Sequence, residues 1–287
     1  LANSRWRPVG LGVMGLQDVF FQLRIPFDSA EARMLSAKLQ EEIYFHALSA
    51  SCDLAEQDGP HAAFQETRAA KGEFQFELWG TTPTEKERWE LLRERMKTVG
   101  LSNSLLIAIA PTDTIASIVG CYECIEPQIS NLFKREPLSG EFLQVNRYLV
   151  TELKERGLWN EEIRMRLKLA EGSVQQIEEL PDDLKLIYRT VWEVPMRGLI
   201  DMARDRNAYI DQSQSPNLFS ESPNIGKLSS MYMYAWKSGL KTTYYLRSRP
   251  ATRIAKTTVA AKQGTADISA AAVTCSLENP GSCEACQ

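Results

Sequence analysis

The chain has 287 residues, 44% of them apolar and 24% charged, with a formal net charge of −4. That balance fits a globular protein with a large core. It excludes a nucleic-acid binder that works through an overall basic surface, and no apolar run reaches the roughly 18–20 residues of a membrane helix.

The opening Leu1-Ala2-Asn3-Ser4-Arg5-Trp6-Arg7 has neither an initiator Met nor the apolar core of a signal peptide. We read it as a junction, and we expect a cytoplasmic protein. Pro8 to Leu16, with glycines at 10, 12 and 15, predicts a buried strand that runs into a helix. Asp28 followed by Glu31 is a capping-box-like start. In the helix that follows, Leu35, Leu39 and Ile43 recur at helical spacing, and Gly59-Pro60 ends it. Residues 84–99 read as an exposed, charged helix. The apolar run from Ser104 to Ala110 predicts a central parallel strand.

Helices are expected at about 141–157, 160–170 and 182–206, the last kinked or broken at Pro195. Ala208 to Asp211 reads as a short strand entering a polar loop, Gln212 to Asn217. Residues 226–238 read as a helix ended by Gly239, and Thr242 to Arg247 as β-prone. Strands alternating with helices indicate a parallel α/β sheet or barrel. After Pro250 there are no aromatics, and Ala, Thr and Ser dominate. Residues 251–287 are therefore expected to form a flexible tail, with residues 1–250 as the folded domain.

Six cysteines, at 52, 121, 124, 275, 283 and 286, do not suggest a disulfide scaffold in a chain this long without a secretory signal. Cys283-Glu284-Ala285-Cys286 is a C-x-x-C pair, a spacing that favours a thiolate and disulfide exchange. The same spacing can supply half of a zinc site, and Cys121-Tyr122-Glu123-Cys124 offers a second half on paper. The 33 residues from Pro250 to Cys283 let a flexible coil span roughly 30 Å, so a tethered dithiol has the reach to enter a buried site and swing out again. Cys52, Cys121 and Cys124 themselves read as small buried or half-buried side chains.

Ala110-Pro111-Thr112-Asp113-Thr114-Ile115-Ala116 follows the apolar strand directly. Hydroxyls and free amides at a strand-to-helix turn suit an anion such as phosphate, and they equally suit a plain helix cap at Thr112 or Asp113. A carboxylate at 113 that faced a phosphate would repel it, so only the backbone of that residue should take part. Tyr244-Tyr245 reads either as one core and one surface aromatic, since neighbours in a strand face opposite ways, or as a redox pair. His46 and His61 are not spaced as a metal pair.

In this order and spacing, several segments resemble the large, catalytic subunit of class I ribonucleotide reductases, from about Arg7 to Gln287. The segments are Gly10 to Leu16, Ala50-Ser51-Cys52-Asp53-Leu54-Ala55, Asn103 to Ala108 leading into Pro111-Thr112, and Ile125-Glu126-Pro127 with Ser130-Asn131. Leu138-Ser139-Gly140-Glu141-Phe142, Ile210 to Ser215, Gly239 to Thr242 with Tyr244-Tyr245-Leu246-Arg247, and Cys275 to Asn279 complete the set.

The resemblance implies the C-terminal half of a ten-stranded α/β barrel built from two five-stranded halves. It implies a ribonucleoside-diphosphate reductase that makes 2′-deoxyribonucleotides by radical chemistry. Thr112, Asp113, Thr114, Ile115 and Ala116 would hold the substrate diphosphate, through backbone alone at Ile115, where some relatives carry a hydroxyl. Tyr244 and Tyr245 would relay the radical, and Cys283 and Cys286 would re-reduce the active site before being reduced by thioredoxin or glutaredoxin. The thiyl-radical cysteine and the effector sites would lie in the N-terminal half of the subunit. The radical would come from the metal cofactor of a small subunit, so no metal is expected in this chain. The expected partners are that N-terminal half, the small subunit and a ribonucleotide, with no nucleic-acid polymer and no membrane. The alternative is a zinc-stabilised, non-enzymatic assembly or regulatory protein that uses both C-x-x-C pairs.

Overall fold

The computed structural model describes residues 1–135 and 142–249. A short α1 (Ala2–Trp6) precedes a segment that pairs with the apolar run at 104–110, and α2 (Leu16–Leu23) follows. The longest element is α3 (Ala30–Asp58). Its N-cap is Ser29, whose Oγ accepts the Ala32 N–H at 3.0 Å. The cap is thus one residue past the expected Asp28, because Arg189 takes the Asp28 carboxylate in an ion pair. Gly59, at φ 80°, ends the helix as expected.

In α4 (Lys86–Val99) the surface is charged, but Trp89, Leu92 and Met96 form a buried stripe, so the helix is not exposed all round. Trp89 packs edge-on against Phe45, Phe74 and Phe76. Its indole N–H reaches Glu41 of α3, a buried carboxylate that also accepts two bonds from Thr84. This aromatic centre continues through Tyr44, Ile107, Ile109, Met202 and Tyr209 as the main core.

After α5 (Asp113–Val119), the strands β1 (Leu132–Arg135) and β2 (Phe142–Val145) pair antiparallel, with Leu132 opposite Val145. Residues 142–145 are therefore strand where the start of a helix was expected. The helix begins only at Asn146, whose side chain accepts the N–H groups of Tyr148 and Leu149. The helices α6 (Arg147–Glu155), α7 (Glu161–Leu169) and α8 (Asp182–Ile187) enclose a second core of Leu149, Leu153, Ile163, Leu167, Leu184 and Tyr188. The expected helix at 182–206 is two helices. α8 stops before residue 188, and α9 (Met196–Asn207) starts directly after Pro195, which supplies its N-cap.

The strand β3 (Leu218–Ser220), the helix α10 (Ile225–Lys237) and the strand β4 (Leu246–Ser248) complete the described chain, and β3 and β4 pair in parallel. α10 is docked on α9 through a small apolar cluster that includes Ile200, Ala203 and Ala235. Leu11 bridges Ile107 and Ile109 bridges Gln214, both in parallel. Residues 9–11, 105–109, 213–220 and 244–248 thus lie side by side in one parallel order, the half-barrel sheet. Much of it is held by single bridges and side-chain staples rather than by long ladders. The Asp211 carboxylate accepts the N–H groups of Leu106 and Ile107, each at 2.8 Å. Lys241 Nζ donates to the carbonyls of Ile210, Asp211 and Gln212.

Gly12 is required by close approach, since a Cβ there would stand 2.9 Å from the Ala108 carbonyl oxygen. Two expectations fail in this region. Val9 and Leu11 are 46% and 49% exposed rather than buried. Residues 208–210 extend the end of α9 through i→i+3 bonds instead of forming a strand. Among the described residues, no helix is long and apolar enough to cross a membrane.

Candidate functional site

The apolar strand at 105–109 delivers the chain to the turn before α5. Thr112 is the N-cap and sits in the left-handed region at φ 59°. Its hydroxyl does not cap its own helix. It accepts the Cys124 N–H at 2.8 Å, tying the entrance of α5 to the turn that leaves it. That second turn is anchored in turn to α2: Gly15 donates to the Tyr122 carbonyl at 2.9 Å, and Asp18 accepts the Tyr122 N–H at 2.6 Å.

The amides of Asp113, Thr114 and Ile115 lack intrahelical partners, as at any helix start, while the Ala116 N–H donates to the Thr112 carbonyl at 2.9 Å. Thr112, Asp113, Thr114, Ile115 and Ala116 stand together there. The Ile115 side chain is 53% exposed. Asp113 directs its carboxyl toward Arg247, with Oδ1 3.9 Å from Nη2, and toward Glu123. Asp113, Thr114 and Glu123 also help to line a cavity of about 690 Å³ between α5, α2 and the start of α6.

Tyr244 and Tyr245 do not divide into a core and a surface residue. They are 44% and 53% exposed, with ring centroids 4.0 Å apart. The Tyr244 hydroxyl donates to that of Tyr245 at 3.1 Å. The two rings share one side because regular pairing begins only at Leu246, so strict alternation does not yet apply. The hydrogen bond to Tyr245 is the main influence that raises the Tyr244 phenol pKa.

Two connections join this pair to the α5 turn. One is Arg247, which faces Asp113 and, at 3.5 Å, Glu123. The other is buried. Glu126 accepts the Asn217 N–H at 2.6 Å and its side-chain amide at 3.0 Å, and Asn217 Oδ1 accepts the Tyr245 N–H at 3.2 Å. Burial raises the Glu126 carboxyl pKa, and the two Asn217 donors act against that rise. Beneath them Arg206, fully buried, donates to Gln214 and Ser36, and loss of solvent pushes its pKa down to about 10.

Glu123, Arg247, Asn217 and Arg206 were not singled out by the sequence reading. Ile125-Glu126-Pro127 and the Gln212–Asn217 loop were noticed only as segments. For Arg247 the available signal was only its place two residues after Tyr245 in the Tyr244–Arg247 segment.

Cys124 is buried at φ 55°, and burial pushes its thiol up to about 12. Burial also raises the Cys52 thiol, to about 11, and the half-buried Cys121 thiol. Raised pKa values leave little thiolate. Cys121 packs against Gly15, whereas the charges around Cys124 are those of Glu126, Arg206 and Glu123. Among the described residues, no group of three or more His, Cys, Asp or Glu is placed to hold a metal ion. Cys283 and Cys286, the Cys275–Asn279 segment and most of Leu138–Phe142 lie outside the described residues.

Comparison with known proteins gives one consistent answer. The family described as "Ribonucleotide reductase, barrel domain" matches residues 1–246. The chain is 44% identical over 299 residues to the ribonucleoside-diphosphate reductase large subunit of Danio rerio, covering 99% of this chain and 38% of that protein. It is 49% identical over 252 residues to the large subunit of Dictyostelium discoideum, covering 87% and 29%. Among solved structures, the Actinobacillus ureae class Id ribonucleotide reductase alpha subunit matches with a TM-score of 0.67 and 28% identity, over 86% of this chain and 40% of that one. The chain therefore spans well under half the length of the curated relatives it matches. Nothing in these comparisons supports the zinc-assembly alternative.

Proposed function

The chain belongs to the ribonucleotide reductase barrel-domain family, and from that premise we propose that it is the C-terminal part of a ribonucleoside-diphosphate reductase large subunit. Its task is to reduce ribonucleotides to 2′-deoxyribonucleotides. The observation that carries this reading is the double connection between the α5 turn and the tyrosine pair, through Arg247 and through Glu126–Asn217. An anion site and a pair of phenols held on one frame are what a radical reaction on a phosphorylated substrate requires.

In this reading the backbone N–H groups of Asp113, Thr114 and Ile115 hold the substrate diphosphate at the helix start, and Thr112 and Ala116, joined by the Ala116 N–H bond to the Thr112 carbonyl, brace that turn. Their fixed position orients the ribose, an entropic contribution to catalysis. Tyr244 and Tyr245, in van der Waals contact and joined by a hydrogen bond, carry the oxidising equivalent from a small subunit toward a cysteine in the N-terminal part of the barrel. The metal cofactor of that small subunit supplies the radical. Cys283 and Cys286 return reducing equivalents and are themselves reduced by thioredoxin or glutaredoxin.

The partner for the barrel follows from what this chain leaves open. Residues 9–11 and 244–248 form the two outer members of the parallel order, and each has an edge without a strand partner among the described residues. Val9, Leu11 and Leu105 present apolar side chains to solvent nearby. Open edges and apolar faces are both unfavourable in isolation, and closure by the N-terminal half of the barrel removes both.

The test is a reductase assay with cytidine diphosphate and a dithiol reductant. Product is expected only when this chain, the N-terminal region and the small subunit are all present, with a stable complex of the first two on size exclusion. A chain that stays monomeric and inactive in that mixture would refute the proposal.

A further inference from the structure

Glu123 carries no role in the reading above and Arg247 only that of a structural connection, yet the fold brings both to the α5 turn. The bond from Cys124 N–H to Thr112 Oγ1 sets their neighbours, Asp113 and Glu123, side by side. One guanidinium then faces both carboxyls, Arg247 Nη2 at 3.9 Å from Asp113 Oδ1 and Nη1 at 3.5 Å from Glu123 Oε1. Asp113 is the first residue of α5, so this trio stands where the helix amides would meet an anion.

We propose that Asp113, Glu123 and Arg247 form a proton-linked charge latch that determines the affinity of the α5 turn for a phosphoryl anion. The inference rests on reading that turn as the phosphate site. With both carboxyls ionised the trio carries one net negative charge, and with one proton it carries none. An anion at the amides repels the ionised pair and so favours the protonated one. The proton comes from solvent.

The groups that face Glu123 are Asp113 of α5, Arg247 of β4, and Glu126 from its own turn. Tyr122 senses Glu123 as well, and Tyr244 faces Asp113. Burial, followed by the hydrogen bond and charge of Asp113, pushes the Glu123 carboxyl up to about 7, with Arg247 opposing. The latch therefore changes charge near neutral pH.

The linkage has a definite sign. Below about pH 7 the proton is already in place, and anion affinity is flat. Above it, each anion bound draws in a proton, and affinity falls by up to about tenfold per pH unit.

Isothermal titration of cytidine diphosphate into the chain assembled with the N-terminal region, from pH 6 to 9, tests this, using wild type, E123Q and R247Q. Comparison between proteins cancels the titration of the nucleotide itself. The wild-type Kd should rise above pH 7 relative to E123Q, by at most about tenfold per unit. R247Q, which removes the opposing charge, should move the bend to higher pH. That shift is readable even if E123Q does not fold. Parallel profiles for all the folded proteins would overturn the latch while leaving the phosphate site standing. Absence of binding by every protein at every pH would remove both.

Discussion

Thr112 is the point where the site is most exposed to a single-atom test. A β-branched residue at φ 59° is unfavourable by about 1–2 kcal/mol, and its hydroxyl bond to the Cys124 N–H compensates for that strain. T112V keeps the shape and the strain and deletes the acceptor. Stranding a buried N–H costs about 1–3 kcal/mol, so T112V should destabilise the fold by that amount and loosen the frame that presents the α5 amides. T112S keeps the oxygen without the branch and should stay within about 0.5 kcal/mol of wild type. T112G loses the oxygen but relieves the left-handed strain, so it should fall between them. Urea midpoints of the full chain give the order, and cytidine diphosphate affinity should follow it. A T112V protein equal to T112S in both measurements would mean that the Thr112–Cys124 tie does not hold the turn.

Y244F and Y245F should each change stability by less than about 0.5 kcal/mol, because both phenols are solvent-facing. Each should nonetheless bring turnover of the reconstituted complex to background while cytidine diphosphate still binds; turnover near wild type in both would remove the relay. R206M strands the buried acceptor on Gln214 and the Ser36 hydroxyl, at a cost of about 2–4 kcal/mol in urea unfolding; an unchanged midpoint would show that this buried polar group is dispensable. Burial lowers the His61 pKa, and the ring packs against Trp6 and Phe64. A folded pKa below the unfolded one means its contribution is intact above about 6.5 and is lost as pH falls through that value. The urea midpoint of wild type should therefore drop more between pH 7 and 5 than that of H61F.

Much of the helical framework was readable because its signals are local. Gly59 and Gly239 end helices where the chain must turn left-handed, and Pro195 starts α9 where it cannot continue one. The apolar run at 104–110 did prove to be a parallel strand position, and the Thr112–Ala116 turn does open a helix. The errors share one cause. Asp28 was passed over as a cap because Arg189, far along the chain, takes its carboxylate. Phe142–Val145 is strand because Leu132–Arg135 pairs with it, overriding a weak local preference for helix. Val9 and Leu11 are exposed because, among the described residues, nothing packs over them, which a local apolar pattern cannot foresee.

The sequence by itself determined roughly where most helices lie, several of their ends, and which residue types could serve an anion or a radical, since caps, periodicity and turn chemistry act over a few residues. Only the tertiary structure decided that Arg247 faces Asp113 and Glu123, that Glu126 reaches Tyr245 through Asn217, and that the two phenols lie on one side. Those contacts join stretches distant in sequence, and nothing local selects such a partner. Packing of the parallel segments against their helices does.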